Sequence, residues 1–143
     1  MLTTDLQAHR EQLLLRHVQA ENDNDVDAVI ATFAHPRYEL VPTAEIFDGD
    51  AEVRRYYREK EARGRRRYEI VRLYHSDDAV IVEIRTLSTE PGPPYRVDLP
   101  SIAVFEFDGP RLTCERVYYD LESFMRVAGA ILRCSSGSGL ERR

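Results

Sequence analysis

Cysteine is scarce in this 143-residue chain: Cys114 and Cys134 stand far apart with no second pair. That excludes a zinc or redox motif, which needs closely spaced pairs. Both read as free thiols of a reducing cytosol, a single bridge being the other arrangement the count allows. The four histidines, His9, His17, His35 and His75, lack metalloprotease spacing, so no metal is expected. No apolar run approaches the ~20 residues of a membrane span. The N-terminus lacks the basic and apolar regions of a signal peptide, so a cytoplasmic location away from membranes is expected. A basic excess is missing too: the net charge of −5 argues against nucleic-acid binding. The exception, Arg63-Gly64-Arg65-Arg66-Arg67, reads as a solvated helix end, with cations at the negative end of the helix dipole and Gly64 as C-cap.

What is present is an ordinary globular composition, 43% hydrophobic and 31% charged. A chain of this size buries roughly 70% of its unfolded surface and can hold one core without staples. Residues 5–20 have helical spacing, with Leu6, Leu13, Leu14 and Val18 as the apolar stripe and Arg10, Glu11 and Arg16 outside it. Asn24 reads as the N-cap of a second helix, in which Val26, Val29, Ile30 and Phe33 recur at i, i+3, i+4 and i+7. His35-Pro36 ends it. Tyr38–Val41 reads as a short strand, limited by Pro42 to an edge or a strand end. Asp50 reads as the cap of a third helix, with Val53, Tyr56 and Tyr57 buried, running to Gly64.

The second half carries strand signals over 68–75, 79–88, 95–107 and 112–120, with turns at Ser76-Asp77-Asp78 and Asp108-Gly109-Pro110. Pro100 implies a bulge or an edge position. Residues 121–129 read as a last short helix. Ser135-Ser136-Gly137-Ser138-Gly139 has linker composition, so one domain over 1–133 and a flexible tail over 134–143 are expected. The order predicts an α+β fold: a cone in which three N-terminal helices pack in the concave face of a curved, mostly antiparallel sheet and leave a partly apolar cavity.

Four segments carry a resemblance. They are Asp25–Phe33; Phe47-Asp48-Gly49 with Val53 and Tyr56-Tyr57; Val104–Gly109; and Arg116-Val117-Tyr118-Tyr119-Asp120 with the helix to Gly129. In order and spacing they resemble the nuclear-transport-factor-2-like superfamily, and especially its SnoaL-like polyketide-cyclase branch. In that branch the Asp closing the last strand is the general acid/base, and Asp120 matches its position. The steroid-isomerase branch would place its two Asp residues near Val41 and Ala103, and its helix-1 tyrosine near His17. The limonene-epoxide-hydrolase branch shares the run Tyr118-Tyr119-Asp120-Leu121, but its catalytic Asp falls on Val117.

Strand alternation places Arg116, Tyr118 and Asp120 on one face and Glu115, Val117 and Tyr119 on the other. The first set is expected inward; the inverted assignment, with the more core-like Val117 and Tyr119 inside, is the alternative, and a strand end or bulge can also break the parity. A carboxylate in an apolar cavity has its pKa raised towards the range useful for proton abstraction. Asp is equally a preferred helix cap. The candidate catalytic residues are thus Asp120, with Tyr118 or His17 as hydrogen-bond donor to an enolate oxygen. Tyr38, Tyr56, Arg116 and His35 are the candidate pocket lining. The resemblance implies cofactor-free cyclisation, isomerisation or dehydration of a small hydrophobic, oxygenated molecule by a homodimer packed through the outer sheet face. The alternatives are a non-catalytic ligand-binding or dimerisation domain, or an epoxide hydrolase in which Asp120 with Glu115 or Glu83 activates water.

Overall fold

A computed structural model describes residues 1–88 and 98–126. In chain order it contains α1 (Thr4–Asn22), α2 (Val26–Ala31), β1 (Arg37–Leu40), a 3-10 turn (Val41–Thr43), β2 (Glu45–Asp48), α3 (Asp50–Ala62), β3 (Arg66–His75), β4 (Ala79–Ser88), β5 (Asp98–Asp108) and β6 (Arg111–Tyr119). Residues 121–126 are helical. The strands form one sheet in the order β2-β1-β6-β5-β4-β3, antiparallel except for the parallel pair of β1 and β6. This is the expected α+β cone. No helix among the described residues is long and apolar enough to cross a membrane. The tail, Cys134 and the expected strand residues 95–97 lie outside the described residues.

Alternation builds the core. Val80, Val82, Ile84 and Thr86 of β4 face inward, as do Leu99, Ala103 and Phe105 of β5, where they meet Leu14, Val29, Phe33 and Val53 from the helices. Pro100 pairs with Arg85 of β4 alone, because the β6 ladder begins one residue later at Ser101, so it stands at a ladder end, where proline is tolerated. The bulge lies elsewhere, between Glu106 and Phe107 opposite Leu112 and Cys114. Thr113 is the extra residue. It switches the inward face of β6 from Leu112 to Glu115, Val117 and Tyr119.

Three local expectations are corrected. Arg10 is inside, not outside: it is 1% exposed, and its guanidinium donates to the carbonyls of Gly109 (3.0 Å), Ser76 (3.2 Å) and Asp77 (3.0 Å) while lying over the Phe107 ring. These acceptors satisfy a cation that burial would otherwise penalise. The cap of α2 is Asp25, whose carboxylate accepts from Ala28 N at 3.0 Å; Asn24 instead takes the left-handed turn before it, at φ 54°. Gly49, at φ 92°, precedes α3, so Asp50 is its first residue rather than its cap and pairs with Arg54. Β2 is a strand the sequence reading lacked; it pairs antiparallel with β1 through Tyr38 and Phe47.

Candidate functional site

The buried face of α1 carries Leu14, Val18 and Ala20, but also His17 and Glu21, one turn apart. Opposite them, β1 presents Tyr38 and β6 presents Glu115, which are register partners. Tyr57 of α3 completes a buried polar cluster. His17 Nε2 lies 3.0 Å from Glu115 Oε2 and 3.1 Å from the Tyr38 hydroxyl. Tyr38 and Tyr57 both donate to Glu21 Oε1, at 3.1 and 2.8 Å.

The hydrogen bonds fix where protons must sit. The Thr32 hydroxyl donates to the Val29 carbonyl at 2.6 Å, so at 2.7 Å its oxygen accepts from His17 Nδ1. Nδ1 therefore carries a proton. In the neutral imidazole Nε2 would then point a lone pair at a carboxylate. A second proton must lie between Nε2 and Glu115. Burial alone would pull the His17 pKa down, but the Glu115 hydrogen bond and the charges of Glu21 and Glu115 raise it. Burial and the neighbouring Glu21 charge raise the Glu115 pKa as well. The pair shares one proton that neither partner yields easily to water. Burial also pushes Tyr38, Tyr56, Tyr57 and Tyr68 above the ordinary phenol range, so their hydroxyls stay protonated donors.

Glu115 and Glu21 line a cavity of about 100 Å³. Its apolar walls include Leu40, Phe47, Ile84, Leu99, Val117 and Phe124, and Thr86, Ser101, Tyr68 and Lys60 add polar atoms. A more polar hollow of about 310 Å³, between the C-terminal ends of α1 and α3 and the start of β3, shares Glu21, Lys60 and Arg66 with it.

His17, Glu21 and Glu115 also place three ligand-type atoms within 4.8 Å of one another. The donor types suit a divalent cation. The lone pairs that would reach it are already engaged by Tyr38, Tyr57 and the shared proton. The positive charge of Lys60 is felt at both His17 and Glu115, which opposes a cation there.

Of the residues singled out from sequence, His17 joins this cluster, behind Glu115. Tyr56 lines the cavity. Tyr38 is 1% exposed and buried beneath the cavity rather than on its wall. The others are placed outside. Asp120 is exposed and caps the helix after it, accepting from the Ser123 amide at 3.0 Å and from the Ser123 hydroxyl; these bonds hold its carboxyl below the usual range. Tyr118 is 41% exposed on the outer sheet face. Arg116, on the same face, donates to Glu39 (2.8 Å) and pairs with Glu106 (2.7 Å). His35 bonds Asp48 at 2.7 Å at the surface. The Thr113 bulge accounts for the inversion of β6: strict alternation from buried Leu112 would turn 116, 118 and 120 inward. The Asp120 face therefore points away from the cavity. Glu83 shares the outer face, where its register partner is Arg72.

Sequence reasoning left out Glu21, Tyr57, Lys60 and Tyr68. The signal for Glu21 is its helical spacing from Leu14, His17 and Val18, which puts it on the buried stripe of α1.

The sequence model of the family described as a SnoaL-like domain matches residues 14–114. No curated protein matches the chain. Solved structures with the same fold include a Catenulispora acidiphila protein with a ketosteroid isomerase-like fold in complex with trimethylamine. It is 18% identical with a TM-score of 0.71, covering 82% of this chain and 92% of its own. Another is a Mycobacterium tuberculosis epoxide hydrolase of the limonene-epoxide-hydrolase-like kind, at 22% identity and TM-score 0.69 over 92% of this chain and 98% of its own. A third is the epoxide hydrolase/cyclase-like enzyme SalBIII, of pyran ring formation in the polyether salinomycin, at 20% identity and TM-score 0.69 over 82% of this chain and 95% of its own.

Proposed function

The chain belongs to the SnoaL-like domain family, and within it we propose that this protein is a cofactor-free acid–base enzyme in which Glu115, held by His17, moves a proton on a small oxygenated molecule. The observation that carries the reading is the buried 3.0 Å contact between His17 Nε2 and the Glu115 carboxyl, which lines a mostly apolar cavity. A carboxyl whose pKa is raised by burial sits closer to the range where it can both take and return a proton near neutrality. The natural reaction class is proton transfer next to a carbonyl, the step common to isomerisation, aldol cyclisation and dehydration. Asp120 has no part in this reading, because its lone pairs are engaged by the helix it caps.

The test needs no knowledge of the natural substrate. Enolisable ketones and 2-oxo acids are incubated with the protein in deuterated water, and loss of the α-proton signal is followed by NMR. Exchange catalysed by the wild type is expected to fall about 100-fold or more in Glu115→Gln. Exchange at the wild-type rate in that variant would sink the assignment. A second reading, a non-catalytic binding domain, draws on the small cavity and on the use of Asp120 as a cap; ligand binding without exchange across the panel would favour it. Homodimerisation through the outer sheet face remains part of the proposal. Tyr74, Ile81, Ile102 and Tyr118 point outward there, with Tyr74 44% exposed and Tyr118 41% exposed. A monomer mass in solution at micromolar concentration would refute it.

A further inference from the structure

The carboxylates and the cations of the cavity differ in whether they have partners. Glu21 accepts from Tyr38 and Tyr57, and Glu115 shares a proton with His17. Glu59 pairs with Arg55, and Glu45 accepts from the Thr43 hydroxyl. The Lys60 ammonium, by contrast, is buried and has no hydrogen-bond partner among the described residues. It lies over the rings of Tyr57 and Tyr68, 4.6 and 4.5 Å from their centroids. Ring faces attract a cation but accept none of its N–H bonds well. Buried donors left without acceptors are costly, and more so when charged. Two further cations line the cavity. Arg66 lies over the Phe124 ring, and neither it nor Arg63 is paired with a carboxylate among the described residues.

We propose that the cavity is a binding site for a small organic carboxylate, whose oxygens accept from Lys60 Nζ, with Arg63 and Arg66 as further cations on the cavity wall. The proposal rests on the reading of this cavity as the substrate site and specifies the substrate class. At about 100 Å³ the cavity holds the volume of a few water molecules, which suits a short acid or the acidic end of a longer one. Lys60 is then a binding residue that orients the ligand. Lys60 and Glu115 line the same cavity, which places the carboxylate and the proton-transferring group in one compartment. The carbonyl oxygen of a neutral ligand can accept from the ammonium but does not balance its charge, and a charge-assisted bond is the stronger one, so the site discriminates by charge as well as by shape.

The experiment is calorimetric titration of the wild type with 2-oxobutanoate and with 2-oxobutanamide, an uncharged compound of nearly the same shape. The acid is expected to bind at least about tenfold more tightly than the amide. In Lys60→Met the two affinities converge, and in Lys60→Arg the preference for the acid persists. Equal or tighter binding of the amide overturns the proposal, as does a preference that survives Lys60→Met, or failure of both compounds to bind at millimolar concentration. The wild-type comparison decides the matter even if a variant does not fold. Running proton exchange on the same two compounds separates this inference from the acid–base reading. Preferred binding of the acid without exchange refutes the acid–base reading alone. Equal binding of acid and amide with exchange on both refutes the charge preference alone.

Discussion

Glu39 and Glu115 sit on neighbouring strands, β1 and β6, facing opposite sides of the same sheet. Each touches a basic side chain, yet their environments drive them in opposite directions. Glu39 accepts from Arg116 and from Arg37, at 2.8 and 2.9 Å, and these bonds lower its pKa. Glu115 is buried beside Glu21, and its pKa is raised. The outer carboxylate is a fixed charge between two permanently charged arginines. The inner one has a partner that can itself give up the proton. In the proposed reaction, what sets the inner carboxylate apart is burial beside a titratable partner, rather than the presence of a neighbouring base as such.

Substitutions can break or sharpen this contrast. The largest effect is expected for apolar packing on the inner face. Phe105→Ala should cost about 3–5 kcal/mol in denaturant unfolding, whereas Arg116→Ala on the outer face should cost about 1 kcal/mol or less. Next comes chemistry: Glu115→Gln should lose about 100-fold or more in α-proton exchange, while Glu39→Gln retains it. Equal losses would dissolve the distinction between the faces.

A smaller effect is expected in the pH dependence of stability. Both His17 and Glu115 have raised folded-state pKa values, so the native protein holds protons that the unfolded chain releases. Their contribution is fully present below the ordinary glutamate value of 4.5. It is lost as pH rises through the raised values, which lie above 4.5 for Glu115 and above 6.5 for His17. The melting temperature of the wild type relative to Glu115→Gln should therefore decline as pH rises above 4.5, and further above 6.5. A rising difference would contradict the shared proton. The smallest effect belongs to Asp120→Asn: asparagine caps helices as well as aspartate, so exchange should stay within about twofold and stability within about 0.5 kcal/mol.

The order of elements, the short β2 apart, was legible in the sequence because each of the others rests on local periodicity: Val26, Val29 and Ile30 at helical spacing, Val80, Val82 and Ile84 alternating. The cone follows from that order. The site was less legible because its geometry depends on one residue that periodicity does not mark. Thr113, the bulge, is an unremarkable residue in a strand-like run, yet it turns Glu115 inward and Asp120 outward. Arg10 escaped for a related reason: its acceptors are backbone carbonyls at Ser76, Asp77 and Gly109, which side-chain patterns do not reveal. His17 was legible as a position on helix 1, but its partner Glu21 resembles any exposed helical glutamate until the buried stripe is traced through it.

The parallel pair of β1 and β6 has a consequence for how the protein is made. Glu39 and its partner Arg116 are 77 residues apart, and β1 is an interior strand only once β6 lies beside it. On the ribosome, at about 5–20 residues per second, roughly 4–15 s separate the synthesis of these two residues. During that interval β1 can pair with β2 but presents an open strand edge, and His17 and Glu21 wait without Glu115. The nascent chain thus passes through a stage with an adhesive edge and an unfinished polar interior, where a chaperone or a premature contact with another chain would act.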